Sequence, residues 1–284
     1  MNPSLRRLAV MAVGVQLVAL ATGCVSKAPV NPTLPLDSAK GKQQLLRMAG
    51  EPQPLARPLL VLGGWLDPGF VVDRMARVFK KVTADERIVK VSFAFCSNFE
   101  KCREHVLKQV DKDLGPQFAT GELPVDVVGF SMGGLVARHA AIESSGPEPD
   151  ARRLNIVRLF TIATPHRGAR MAKLPTLNSH QIDMRHDSAF LARLDEALPT
   201  SGYDIFPYVR LGDKMVGAVN AAPPGRTAWW APSPPLGRPH LDAAMEPAIT
   251  ADIAARLRGE KPFSIEPPAP LPADEEDAAE VLER

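Results

Sequence analysis

Residues 125–134, VDVVGFSMGG, decide the fold class because a short apolar run leads directly into a serine among glycines. The β-branched run VDVVGF predicts a buried strand, and the small residues of 133–146 predict a helix. Gly129 and Gly133 leave room for a sharp turn between the two elements. Ser131 is therefore a candidate nucleophile on a strained turn, its hydroxyl projecting from the sheet. A glycine-rich corner of some other α/β protein is the alternative.

Strand and helix patterns alternate along the rest of the chain. Further strands are predicted in LLVL (59–62), RIVKVSFAF (87–95), IVRLFTIATP (156–165), YDIFPYVRLG (203–212) and RTAWW (226–230), and further helices in FVVDRMARVFKKV (70–82), REHVLKQVDKDLG (103–115), DSAFLARLDEAL (187–198) and LDAAMEPAITADIAARL (241–257). This alternation predicts an α/β fold, a mostly parallel sheet of about six strands flanked by helices. Ligand sites of such sheets lie at the carboxyl ends of the strands. The longest stretch without alternation, 166–203, predicts a short cap insertion.

Composition excludes some classes of function. The chain has 284 residues, 45% hydrophobic and 23% charged, as in an ordinary globular protein with one sizeable core. Residues 1–23 contain two arginines and no acidic residue. Without them, 32 of the 34 basic residues remain against 32 acidic residues, so the net charge is formally zero. A nucleic-acid partner therefore has no electrostatic support. No histidine stands at ligand spacing from a cysteine, and we expect neither a metal nor a cofactor.

The first residues have the pattern of an export signal. Arg6 and Arg7 precede the uncharged run of residues 8–21, which is too short and wrongly flanked for a transmembrane helix. The run ATGC at its end resembles the lipobox of bacterial lipoproteins, which implies cleavage before Cys24 and acylation of that thiol. Val25, in place of the aspartate associated with inner-membrane retention, implies an anchor in the outer membrane facing the periplasm. A plain signal peptide or an uncleaved anchor is the alternative.

Changes in composition predict four segments. Residues 1–23 form the signal peptide, and the polar, proline-punctuated residues 24–57 predict a flexible tether. Residues 58–258 form the domain, with the cap at about 166–203. Residues 259–284 are proline-rich and then acidic, which predicts a disordered tail.

Two cysteines remain once Cys24 is assigned to lipid. In an oxidising compartment Cys96 and Cys102 are expected to pair and close a small loop. Their spacing permits this disulfide without demanding it, so two free thiols stay the alternative.

Six motifs in order resemble those of the α/β-hydrolase superfamily, particularly its small bacterial lipases and esterases. They are LVLGGW, GFSMGG, ATPHRGA, DSAFLARL, LGDKMV and PHLD. The resemblance covers about residues 58–258 and implies a serine hydrolase. The sequence departs from the pattern at Gly63 and Gly64, where many lipases have His-Gly, and it lacks the two strands that begin larger members.

A serine hydroxyl needs a base, and in α/β-hydrolases the acid follows the serine and the histidine follows the acid. Asp213 comes directly after a predicted strand, and His240 is the only histidine after Asp213. The resemblance therefore implies that Ser131 is the nucleophile, His240 the base and Asp213 the acid. Weaker candidates for the acid are Asp183, Asp204 and Asp242.

The same resemblance implies that the Met132 and Trp65 N–H groups stabilise the oxyanion, with Gly64 as second choice to Trp65. Predicted substrate contacts come from Leu66, His166 and Phe190. The implied substrate is an ester or acyl lipid. Acyl transfer or thioester cleavage by the same residues is one alternative, and a non-catalytic envelope lipoprotein is another. The sequence indicates no particular protein partner.

Overall fold

A single parallel sheet organises the molecule. The computed structural model describes residues 29–142, 152–234 and 236–275. The strands are β1 (Leu59–Leu62), β2 (Ile88–Val91), β3 (Pro124–Phe130), β4 (Asn155–Ile162), β5 (Asp204–Arg210) and β6 (Trp229–Ala231). All six are parallel, in the order β2-β1-β3-β4-β5-β6. The predicted fold class is confirmed. The strand order reverses between β1 and β3, which is where ligands bind in open α/β sheets.

Helices cover both faces of this sheet. They are α1 (Ser38–Gly50), α2 (Phe70–Thr83), α3 (Phe99–Leu114), α4 (Pro116–Ala119), α5 (Met132–Ala140), α6 (Ser179–Asp183), α7 (Ala189–Ala197), α8 (Pro239–Ala243) and α9 (Pro247–Leu257). Apolar side chains of α3, α5 and α7 form the core on one face, and those of α1, α2 and α9 form it on the other. The arrangement is consistent with the α/β-hydrolase fold. The predicted cap region, between β4 and β5, contains α6 and α7.

The last predicted helix, 241–257, is divided into α8 and α9 in the structure. Pro247 causes the break, because a proline lacks the N–H that a continuing helix needs but fits the first helical position. Glu246 caps the new helix, with its side chain accepting from the Ala248 N–H at 3.5 Å. The separate helix α8 carries His240 in its first turn.

The described part of the predicted tether, residues 29–57, is folded onto the domain. Helix α1 packs against α9, and a Cβ atom at Gly41 would lie 2.5 Å from the Pro247 carbonyl carbon. Only glycine permits that approach of the two helices. Met48 and Leu55 are buried. These apolar residues are too few and too widely spaced to stand out in a polar, proline-containing sequence, so composition alone predicted a tether.

The start of the predicted disordered tail, residues 259–275, is also ordered. It lies along β6, where the indole N–H groups of Trp229 and Trp230 donate to the carbonyls of Ile265 and Pro270, each at 3.1 Å. A buried indole needs such an acceptor, and β6 is an edge strand that benefits from a cover. Proline-rich sequence supplies carbonyl acceptors without any strand or helix pattern, which explains the difference from the prediction.

Cys96 and Cys102 are free thiols, contrary to the expected disulfide. Cys102 is buried on the inner side of α3, with its Sγ 3.4 Å from His180 Nε2 on α6. Burial raises the pKa of both thiols above the usual range. The thiols are therefore protonated and weakly reactive at neutral pH.

The predicted signal peptide, Cys24 and residues 276–284 lie outside the described residues. Lipid attachment and an outer-membrane location therefore stay predictions. Within residues 29–142, 152–234 and 236–275, no helix combines the length and the apolar character needed to cross a bilayer.

Candidate active site

The turn between β3 and α5 holds Ser131 in a conformation that side chains rarely adopt. Its φ is 51° and its ψ is −125°. Such geometry costs about 1–3 kcal/mol and persists only where surrounding contacts enforce it. The Ser131 N–H donates to the Ile162 carbonyl at 2.8 Å, and the Thr164 hydroxyl donates to the Ser131 carbonyl at 2.9 Å. The end of β4 thus fixes the strained serine from both sides.

The two glycines flanking the serine make this turn sterically possible. A Cβ atom at Gly129 would lie 2.6 Å from the Gly134 Cα, and one at Gly133 would lie 2.6 Å from the Leu62 carbonyl oxygen. Both distances are far inside van der Waals contact, and both involve backbone atoms that cannot move aside. The pattern Gly-x-Ser-x-Gly is therefore a packing requirement here.

A continuous chain of hydrogen bonds joins the three predicted catalytic side chains. Ser131 Oγ lies 3.0 Å from His240 Nε2, and His240 Nδ1 lies 2.8 Å from Asp213 Oδ2. The three residues follow β3, β5 and β6, and they meet because parallel strands end at one edge of the sheet. Ser131 and His240 are 109 positions apart in the sequence, and the sheet brings them together.

The Asp213 carboxylate has a separate partner for each oxygen. Oδ1 accepts from the Met215 and Val216 N–H groups at 2.9 and 3.0 Å, and Oδ2 faces His240. Asp213 is buried, and the His240 ring rests against Phe130 at a centroid distance of 5.3 Å. An ionised Asp213 favours the tautomer with a proton on Nδ1, which leaves Nε2 free to accept from the Ser131 hydroxyl.

The loop after β1 passes directly beside the serine. A Cβ atom at Gly64 would lie 3.4 Å from Ser131 Cβ, and Trp65 borders the same cavity as Ser131. Asp67 shapes this loop, because its carboxylate accepts from the Gly69 and Val72 N–H groups at 3.0 and 3.1 Å. Trp65, one of the two predicted oxyanion donors, therefore lies in a loop that reaches the nucleophile.

Met132, the other predicted donor, is the first residue of α5. The first N–H groups of a helix have no acceptor within the helix, and they lie at its positive end. The position of Met132 is therefore suited to stabilise an anion formed at Ser131.

A small apolar cavity of about 100 Å³ opens at the serine. It is lined by Gly64, Trp65, Phe130, Ser131, Pro165, Ala169, Met171, Ala172, Gln181, Met184, Met215, Val216, His240 and Leu241. The cap supplies much of this lining, including Met171, Gln181 and Met184. These three residues belong to no motif that could be recognised in the sequence, and only their position in the predicted cap pointed to them.

The three predicted substrate contacts are absent from the described lining. Leu66, next to Trp65, is 59% exposed. Phe190 stacks on Phe99 at a centroid distance of 4.1 Å, within the core. Leu66 and Phe190 were suggested as apolar residues near the site and His166 by its position near the strand ends, but none of the three is among the residues that line the cavity.

His166 is instead part of a buried polar network. Its Nδ1 lies 3.1 Å from Arg138 Nη1, and its Nε2 lies 3.0 Å from the Thr161 hydroxyl. Arg138 also bonds to Asp195 at 2.8 Å, which connects α5 to the cap helix α7. The motif ATPHRGA therefore stabilises the cap through His166 and does not present that imidazole to the cavity.

We expect the free energy of unfolding to fall as the pH drops from about 6.5 towards 4. Burial lowers the pKa of His139 to about 4, and burial with Arg138 nearby lowers that of His166 well below its usual value. Below pH 6.5 these two histidines bind protons in the unfolded chain but stay neutral in the folded chain. The free energy of unfolding that is present above pH 6.5 is therefore lost on acidification. The free energy of unfolding, measured by urea denaturation, should be about 1–3 kcal/mol lower at pH 5 than at about pH 7.5. His139→Gln should reduce this loss, and an unchanged loss would contradict the assignment.

Within the three described ranges, no group of three or more His, Cys, Asp or Glu side chains is arranged to hold a metal ion.

Comparisons with known proteins give only distant structural similarity. No protein-family model matches the chain, and no curated protein sequence matches it. Phospholipase PlaB from Legionella pneumophila, in complex with thio-NAD, is 11% identical over 71% of this chain and 56% of its own, with a TM-score of 0.48. Lipase BlEst2 from Bacillus licheniformis, in its propeptide form, is 12% identical over 78% and 53%, with a TM-score of 0.49.

Lipase B from Aspergillus fumigatus is 12% identical over 73% of this chain and 53% of its own, with a TM-score of 0.47. The chain thus spans about half the length of these three proteins. Similarity at this level does not decide a reaction, so the function has to be argued from the site.

Proposed function

We propose that the chain is a serine hydrolase that cleaves carboxylic esters, with Ser131 as nucleophile, His240 as general base and Asp213 as the acid that orients His240. The observation that carries the proposal is the unbroken chain of hydrogen bonds from Asp213 through His240 to Ser131. That chain ends at a strained serine beside an apolar cavity. A core serine has no need of strained backbone or of a base held by a buried carboxylate.

Acylation begins when Ser131 Oγ attacks the ester carbonyl carbon and its proton passes to His240 Nε2. The tetrahedral intermediate carries a negative oxygen, which the N–H groups of Met132 and of the loop at Trp65 would stabilise. When the intermediate collapses, the carbon–oxygen bond to the alcohol breaks and His240 returns its proton to the leaving oxygen. Asp213 stays ionised and stabilises the imidazolium throughout.

Deacylation repeats these steps with water as the nucleophile. His240 takes a proton from water as the water oxygen attacks the acyl carbon, and then gives that proton to Ser131 Oγ as the carboxylic acid leaves. The same acyl-enzyme could pass its acyl group to an alcohol or come from a thioester, so acyl transfer and thioester cleavage use one set of residues.

The proposal is tested by following the cleavage of p-nitrophenyl butyrate by the purified full chain, with and without an added alcohol. A hydrolase releases p-nitrophenol and butyric acid, and addition of the alcohol should leave the acid as the main product. A butyrate ester of the added alcohol as main product would favour acyl transfer instead. Saturable binding of the substrate by folded protein without any turnover would favour a binding protein and overturn the proposal.

A further inference from the structure

We propose that the cavity beside Ser131 receives the acyl part of the ester and restricts it to short, uncharged chains of about two to four carbons. This inference rests on the proposed ester hydrolase and names its substrate class. The inference is based on a difference in solvent exposure between two walls of the cavity. One wall is buried and the other is open to solvent.

The buried side is a fixed apolar wall. Ala172 and Met184 are 1% and 6% exposed and belong to the core beneath α3, α5 and α7. Ala169 and Trp65 pack against the same core. The Ala169 N–H donates to the Met184 carbonyl at 2.8 Å, and Arg185 Nε donates to the Ala172 carbonyl at 3.2 Å. These bonds tie the wall together, so a longer chain cannot simply displace it.

The open side is next to His240. Met171, Met215 and Leu241 are 42%, 36% and 43% exposed, so solvent reaches this wall. The Met171 N–H donates to the Met215 carbonyl at 3.1 Å, which joins the cap to the loop that carries Asp213. Leu241 follows His240 directly in the sequence. Leu241 therefore places part of the solvent-exposed wall beside the base.

The chemistry decides which part of the ester faces each side. His240 has to give its proton to the leaving oxygen, so the alcohol must lie within reach of His240 Nε2. The alcohol then extends along the open wall. With the carbonyl carbon at Ser131, the acyl chain is left to the buried wall at Ala172 and Met184.

The size of the cavity limits the acyl chain. Its volume is about 100 Å³, whereas a cavity of roughly 150 Å³ holds benzene and a water molecule takes about 30 Å³. The cavity is therefore smaller than one that holds benzene, and it also contains the start of the alcohol, so we expect its buried side to accept an acyl chain of at most about four carbons. The alcohol meets no such limit, because its wall is open.

The lining also disfavours a charged acyl group. Gln181 is the one amide side chain in the described lining, and no Lys, Arg, Asp or Glu is among the lining residues. Gln181 is neutral, and its Oε1 already accepts from the Thr176 hydroxyl at 2.5 Å, so it provides no counter-charge. A second carboxylate on the acyl chain would be buried without a partner, which is costly.

The first experiment compares kcat/KM for p-nitrophenyl acetate, butyrate, octanoate and laurate. Acetate and butyrate should exceed octanoate by about tenfold or more, since each misfitting methylene in an apolar pocket costs about that factor. Butyrate esters of short and long alcohols should differ much less. A parent protein that cleaves octanoate or laurate as well as butyrate would overturn the inference.

Two variants change the buried wall in opposite directions. Ala172→Leu fills it, so butyrate should lose about tenfold relative to acetate. Met184→Ala enlarges it, so octanoate should gain about tenfold relative to butyrate. Met75→Ala is the matched control, because Met75 is 1% exposed in the core on the opposite face of the sheet. It removes the same buried side chain and should leave both ratios unchanged.

Circular dichroism establishes which variants are folded, and either folded variant suffices because each predicts a shift of opposite sign. An unmoved ratio in a folded variant, or an equal shift in Met75→Ala, would overturn the inference while leaving the esterase proposal intact. Absence of any Ser131-dependent cleavage of all four esters would instead overturn the proposed function itself.

Discussion

Ser131→Ala is expected to lower kcat for p-nitrophenyl butyrate by about a million-fold, which leaves only the small residual rate that substrate binding and the oxyanion donors support. The hydroxyl is the only atom that is lost, and it is the atom that His240 Nε2 approaches at 3.0 Å. Without it no acyl-enzyme forms, and the remaining oxyanion donors act only on attack by water. The decrease in kcat is measured from the p-nitrophenol released during long incubations.

Two controls separate loss of chemistry from loss of structure. Ser201→Ala removes a serine hydroxyl that donates to the Leu198 carbonyl at 2.8 Å, and it should keep full activity. Ser131→Gly should be as inactive as Ser131→Ala but no less stable than the parent, because glycine tolerates the φ of 51° at this position. Residual activity above about one per cent in folded Ser131→Ala would contradict its role as nucleophile.

Asp213→Asn is expected to lower kcat by about ten-thousand-fold while the protein stays folded. The Met215 and Val216 N–H groups both point at one oxygen of this side chain, so an asparagine must keep its amide oxygen there. Its NH₂ group then faces His240 Nδ1 at the position of Oδ2. That arrangement favours the tautomer with the proton on Nε2, which cannot accept the proton of Ser131.

The matched control for this variant is Asp242→Asn. Asp242 was a weaker candidate for the acid, and its Oδ2 accepts from the Arg238 N–H at 2.7 Å near the surface. This variant should retain activity within about a factor of three, because an asparagine oxygen can still accept from the Arg238 N–H. Equal losses in Asp213→Asn and Asp242→Asn would contradict the assignment of the acid.

Local sequence carried enough information to predict the sheet and the steric requirements of the turn at Ser131. Each strand is a short apolar run, and Gly129, Ser131 and Gly133 form one contiguous motif whose steric reason is local. His240 could be selected because chain order leaves a single histidine after Asp213. Such features depend on neighbours in sequence or on order alone, and both are visible without a structure.

Features that depend on contacts between distant segments were not predictable. The folding of the residues around Met48 depends on a close approach at Gly41 to α9, and the order of residues 259–275 depends on Trp229 and Trp230 finding carbonyl partners. The sequence does not indicate which distant segments will contact each other. The direction of side chains was also not predictable. His166 lies near the strand ends, but its imidazole is buried.

The most direct test of the central claim is labelling with a fluorophosphonate probe, followed by peptide mapping of the adduct. The account predicts one covalent adduct on Ser131 in the parent, none in Ser131→Ala, and strongly slowed labelling in His240→Ala. An adduct on a different residue, or no adduct on a folded parent that binds p-nitrophenyl butyrate, would contradict the assignment of Ser131 as an activated nucleophile.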